Sequence, residues 1–95
     1  MDGSSGGQVN PVPTDAQWLV LHMIDDDDVW REGDMWMAAT EHGRQNVTAR
    51  VWRLIRLGLV DVKEDKLIIA PDGLDTLKRR SVYEVLERIN RRRNK

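Results

Sequence analysis

A mainly α fold carrying one two-stranded β-hairpin is predicted by three features of the sequence. Apolar residues recur at helical spacing in residues 18–24 and 47–55. Residues 59–63 alternate apolar and polar, and a Glu64-Asp65-Lys66 turn leads to a second apolar run at 67–70. Capping residues and glycines punctuate the chain at intervals that one helix or one strand fills.

The first thirteen residues, MDGSSGGQVNPVP, are poor in apolar side chains and rich in Gly, Ser and Pro, so they are expected to form a disordered tail. Thr14, followed three residues later by Gln17, is a capping-box pattern that starts a helix through WLVLHMI. That helix is apolar nearly all round and should stop in the run Asp25, Asp26, Asp27 and Asp28, whose charge opposes the dipole at a helix C-terminus. Gly33 and Asp34 read as the entry to a second helix, MWMAATEH, with Trp36, Ala39 and Thr40 toward the core and Gly43 as its stop. A third helix is expected from residues 44–46 to Leu57, ended by Gly58. At 100° per residue it places Val47, Val51, Leu54 and Ile55 on one side and Gln45, Ala49, Trp52, Arg53 and Arg56 on the other. Arg50 falls nearer the apolar side. After the hairpin, Pro71-Asp72-Gly73 opens a helix through Leu74 and Leu77, and Ser81 with Glu84 forms another capping-box pattern. Residues 72–93 are therefore either one helix or two.

The net charge of −1 conceals a strong asymmetry. Residues 1–34 carry eight acids and one base, whereas residues 35–95 carry eight acids and fourteen bases. Arg44, Arg50, Arg53 and Arg56 occur within thirteen residues that contain no acid, a positive face of the kind that phosphate binding requires. Arg91, Arg92 and Arg93 either bind phosphates or keep the C-terminal helix solvated. Asp exceeds Glu, Arg exceeds Lys and Phe is absent, a usage resembling that of GC-rich and halophilic archaeal genomes.

The chemistry of an enzyme is not expected. There is no Cys, and His22 and His42 have neither the spacing of a zinc site nor the Ser, Cys or paired-carboxylate company that catalysis uses. His22 reads as a core histidine and His42 as a partner of a helix C-terminus. The four consecutive aspartates lack the alternation and closing Glu of a calcium loop and read as a solvated turn. No metal or other cofactor is called for, no small-molecule effector is identifiable, and with neither a membrane-spanning run nor a secretory leader the expected location is the cytoplasm. Trp52, outward on a basic helix, is expected to pack against the hairpin.

The order helix, helix, basic helix, Gly-Leu-Val, hairpin, Pro-Asp-Gly, helix resembles the winged helix-turn-helix transcription regulators, the MarR-like group, and among them small archaeal and haloarchaeal phage repressors. Residues 47–54 followed by Leu57-Gly58-Leu59-Val60, and Ile68-Ile69-Ala70-Pro71-Asp72-Gly73 at the exit of the hairpin, carry the likeness, which spans residues 15–80. Two departures are Trp52 on the outward helix face and an acidic hairpin tip at Glu64-Asp65.

The resemblance implies a winged helix-turn-helix domain over residues 14–80 and a basic amphipathic helix over residues 81–95 that dimerises the chain. It also implies a sequence-specific, double-stranded DNA-binding repressor acting as a homodimer on an inverted repeat. DNA contacts would then come from Arg44, Gln45, Asn46, Thr48, Ala49, Arg50, Arg53 and Arg56, with Lys63 and Lys66 on the wing. Trp18, Leu19, Met23, Val82, Val85, Leu86 and Ile89 would form the dimer contact. The competing expectations are a winged-helix protein-interaction module that never touches DNA, and an accessory recombination or replication protein of a virus or plasmid.

Overall fold

The computed structural model describes residues 12–93; residues 1–11, with most of the expected tail, and residues 94–95 lie outside the described residues. Helix α1 (Asp15–Asp25) opens on the complete capping box. The Thr14 hydroxyl accepts the Gln17 N–H at 3.2 Å, and the Gln17 side chain accepts the Thr14 N–H at 3.0 Å. Its C-terminus closes with two backbone bonds, Asp28 N–H to Met23 O and Asp27 N–H to Ile24 O. This Schellman geometry puts Asp27 in the left-handed region, φ 62°, where a short polar side chain is tolerated.

The expected second helix is not formed. Strands β1 (Val29–Glu32), β2 (Met35–Thr40) and β3 (Gly43–Asn46) make a three-stranded antiparallel sheet with β2 at its centre. MWMAATEH alternates, with Trp36 and Ala38 buried and Met35 and Ala39 exposed. Gly33, at φ 61°, serves the turn between β1 and β2, while Gly43, at φ 96°, closes the turn between β2 and β3. The helix propensities of Met and Ala amount to only a few tenths of a kcal/mol per residue, so pairing on both edges of β2 overrides them. His42 consequently lies in a hairpin turn beside Glu41, not at a helix end. Ala39, placed toward the core by the helical reading, faces outward.

Helix α2 (Thr48–Arg56) begins later than expected, which leaves Arg44, Gln45 and Asn46 on β3. Its end is as expected: Gly58, φ 76°, follows the cap, and the Leu59 and Gly58 N–H groups bond to Leu54 O and Ile55 O. The chain turns directly into the hairpin β4 (Val60–Lys63) and β5 (Lys66–Ile69), then α3 (Pro71–Lys78) and α4 (Val82–Arg93). Residues 72–93 are thus two helices. Ser81 caps the second by accepting the Glu84 N–H at 3.1 Å. The described residues form an α/β domain with four helices and small antiparallel sheets, in which no described helix is long and apolar enough to cross a membrane.

The core joins Val20, Leu21 and Ile24 of α1, Val29, Trp36 and Ala38 of the sheet, Val47, Val51 and Leu54 at α2, and Leu59 and Val60. Each such side chain contributes on the order of 1.5–3 kcal/mol through burial. Helix α4 packs on α1 within the same chain, enclosing Val85 completely. Trp18 is equally enclosed, with its indole N–H toward Thr76 O at 3.4 Å. Neither residue is therefore available to a second subunit; of the expected dimer contacts, Leu86 is exposed and Leu19, Met23, Val82 and Ile89 are half-buried.

Charge as well as apolar packing holds α4 to the fold. Asp15, whose side chain is 10% exposed, receives Arg88 at 2.8 Å, Arg80 at 3.3 Å, and Arg92. Burial alone would raise the Asp15 pKa, but the Arg88 hydrogen bond and the charges of Arg88, Arg92 and Arg80 outweigh it and hold the carboxyl below its ordinary value. The charged form thus contributes stability above the unfolded-state pKa, about 3.9, and loses it as pH falls through the lower folded-state value. Asp15→Asn should destabilise the chain by about 2 kcal/mol at pH 7, less than for a fully buried pair because the arginines are partly solvated. Urea denaturation should show this gap narrowing steadily as the pH is lowered from 5 toward 2.

Gly73 admits no side chain. A Cβ there would lie 2.2 Å from the Leu59 carbonyl oxygen and 2.8 Å from Ile69 Cγ2. Gly73→Ala should therefore lower stability by about 1–3 kcal/mol despite the better helix propensity of alanine, a melting-temperature drop of several degrees measurable by circular dichroism.

Candidate nucleic-acid interface

Helix α2 owes its position to the strand it leaves. The Val47 N–H donates to Trp36 O at 2.8 Å, and the Trp36 N–H donates to the Thr48 hydroxyl at 2.8 Å. That hydroxyl in turn donates to Asn46 Oδ1 at 2.6 Å, an atom that also accepts the Thr48 N–H at 3.0 Å. Asn46 thereby substitutes for a side-chain cap, which Val47 cannot provide. With Trp36 buried beneath, the helix start is fastened to the central strand.

This fastening divides the eight residues expected to contact DNA. Asn46 and Thr48 are committed to the helix start, with Asn46 Nδ2 3.2 Å from Met35 Sδ. Arg44 lies on β3, paired with Glu32 at 2.9 Å, and Gln45 is exposed on the same strand. Ala49, Arg50, Arg53 and Arg56 remain together on the outward side of α2, all exposed. Arg50, placed nearer the apolar side by periodicity, is solvated like the others.

Trp52 completes that surface. It is 53% exposed, in contrast to the buried Trp18 and Trp36. Ala49, Trp52, Arg53 and Arg56 line a shallow depression of about 310 Å³. Residues 49, 52, 53 and 56 are spaced i, i+3, i+4, i+7, so one helix stripe supplies all four. That spacing is legible in the sequence, whereas the degree to which Trp52 is covered is not.

The electrostatic contrast with the other arginines is sharp. Arg31 pairs with Asp65, Arg44 with Glu32, Arg79 with Asp75, and Arg91 with Glu87, while Arg80, Arg88 and Arg92 converge on Asp15. Among the described residues, Arg50, Arg53 and Arg56 have no carboxylate within 4 Å, and Arg93 at the end of α4 is the only other arginine in that position. The positive charge of α2 is therefore available to an external anion, whereas most of the C-terminal charge is spent inside the fold.

The hairpin contributes less. Lys63 and Lys66 face each other across the last pair of the β4–β5 ladder, and Glu64 and Asp65 form the turn, both with positive φ (53° and 63°). Asp65 is drawn back to Arg31 at 3.0 Å, and the Arg31 guanidinium lies 5.4 Å from the Trp36 ring centre. The tip is thus tied to the three-stranded sheet, and its acids offset the two lysines.

His22 is half-buried, 3.3 Å from Asp26 and edge-on to Trp18, and so lies at the margin of the core. No cluster of three or more His, Cys, Asp or Glu side chains that could hold a metal ion occurs among the described residues. Compared with known proteins, the chain matches no family model, no curated protein and no solved structure.

Proposed function

We propose that the protein binds double-stranded DNA through the outward face of α2 and acts in the cytoplasm as a transcription regulator, with α2 as the reading helix and the β4–β5 hairpin as a short wing. The observation that carries this reading is the unpaired cluster Arg50, Arg53 and Arg56 on one rigidly fastened helix, in a chain whose other arginines are mostly neutralised by its own carboxylates. A helix about 10–12 Å across with its side chains fits a major groove roughly 12 Å wide, and nine residues span about 13 Å along it. Arg53 and Arg56 suit guanine edges or flanking phosphates, and Ala49 permits close approach.

Repression by occlusion would follow from a homodimer that sets two α2 helices about 34 Å apart on an inverted repeat. The surface that supports pairing is the exposed Tyr83 and Leu86 of α4. A protein-interaction module is the second reading, and it rests on the outer sheet face, where Met35 is exposed and Trp30 and Met37 are half-buried.

Fluorescence anisotropy of a labelled mixed-sequence duplex, titrated at several salt concentrations, separates the two. The wild type should bind with an affinity that falls steeply with salt. Arg53→Ala/Arg56→Ala should weaken binding at least tenfold at low salt and reduce the magnitude of the log–log salt slope by about 1.8, or 0.9 per lost phosphate contact. Its sedimentation behaviour should not change. A folded wild type that ignores DNA at low salt would overturn the DNA reading.

A further inference from the structure

An indole on the outward face of α2 poses a problem for a helix that reads only intact duplex. The grooves of B-form DNA present base edges, phosphates and sugars, whose apolar parts are the thymine methyl and the sugar C–H groups, and they offer no open base face. Trp52 offers the reverse: a broad apolar face, half exposed and on the same stripe as two unpaired arginines. The depression beside it exists because Ala49, one turn earlier, contributes only a methyl group. It is a solvent-open hollow of about 310 Å³ on one helix face, where a flat heterocycle can lie against the indole.

Resting on the DNA-binding reading, we propose that Trp52 is a stacking residue for an unpaired base and that the protein prefers DNA containing an extruded or unpaired nucleotide over uninterrupted duplex. The base lies against the indole in the space left by Ala49, and Arg53 and Arg56 hold the phosphates on either side of it. Charge complementarity specifies the occupant. Three guanidinium groups without an internal partner select a polyanion, and the aromatic face between them selects a polyanion that carries π-systems. Base–aromatic stacking should then make a bulged or gapped site about 5- to 100-fold tighter than the matched duplex.

The test uses the full chain with two labelled duplexes that differ only by one unpaired 2-aminopurine in the middle of one strand. Anisotropy measures affinity, and 2-aminopurine fluorescence reports stacking. Wild type should bind the bulged duplex at least fivefold more tightly and quench the probe. Trp52→Ala should abolish both effects, the ratio of bulged to matched affinity falling to about one and the probe staying unquenched, and Trp52→Phe should retain most of the preference. Ala49→Leu, which fills the depression and leaves the arginines intact, should likewise lose the preference and the quenching. Equal binding of the two duplexes with an unquenched probe would overturn the stacking proposal and leave DNA binding standing, whereas no binding to either duplex would overturn both. A preference that survives in Trp52→Ala would likewise overturn it.

Discussion

The junction between Trp36 and residues 46–48 is the constraint on which the surface of this protein depends. Two backbone groups of the central strand are bonded to Val47 and Thr48, and the Trp36 side chain lies buried beneath them. A helix of nine residues is short enough to be marginal by itself, because nucleation uses most of what a few hydrogen bonds return. Here nucleation is templated. The Asn46 side chain orders the first turn, the sheet fixes its direction, and the Schellman closure at Gly58 sets the point at which the chain leaves. Both ends being held, the outward stripe at 49, 52, 53 and 56 keeps a defined orientation, and fixed orientation is what reduces the ordering cost of any later contact.

The distribution of carboxylates follows a related logic. The aspartates of residues 25–28 end α1 and form the exposed turn after it, and among the described residues none of them pairs with an arginine of α2. Asp15, in contrast, is placed at the first position of α1, where the helix dipole favours an anion and where it meets Arg88 and Arg92 of α4 and Arg80 of the link before it. One carboxylate thereby turns an otherwise self-repelling helix terminus into an element that packs on α1 and encloses Val85. The basic half of the sequence consequently serves two purposes that its composition does not distinguish: α4 is held to the fold by its charge, while α2 presents its charge outward.

Those two purposes explain which parts of the structure were legible beforehand. The capping box at Thr14, the Gly58 stop, the β4–β5 hairpin and the Val47, Val51, Leu54 core stripe are local patterns, each decided within about ten residues, and the structure contains all of them. The segment MWMAATEH was misread because its residues favour a helix, and what makes it a strand is pairing with β1 and β3 on either side. The bonding of Asn46 and Thr48 at the helix start has in part the same origin, since Met35 and Trp36 lie ten or more residues away. Trp52 was placed on the correct face by periodicity, but its exposure depends on where the hairpin runs, which periodicity does not specify. The capture of three arginines by Asp15 spans more than sixty residues of sequence and has no local signature at all.

On the proposed reading, the hairpin geometry places an upper limit on how tightly one copy could hold DNA. With Asp65 drawn back to Arg31 and Glu64 beside it, Lys63 and Lys66 gain little from phosphate, which leaves about three contacts from Arg50, Arg53 and Arg56. Three phosphate contacts correspond to a loss of about 40-fold in affinity between 50 and 200 mM salt, the behaviour of a weak, mostly non-specific binder. A functional complex then requires a further source of free energy. A second copy paired through the exposed Tyr83 and Leu86 supplies it by doubling the contacts and making the second set intramolecular. Stacking on Trp52 supplies it within a single copy, and unlike an added lysine it gains little from an uninterrupted duplex. The acidic hairpin tip and the exposed indole are therefore parts of one balance: the first lowers general affinity for phosphate, and the second restores affinity only where a base face is available.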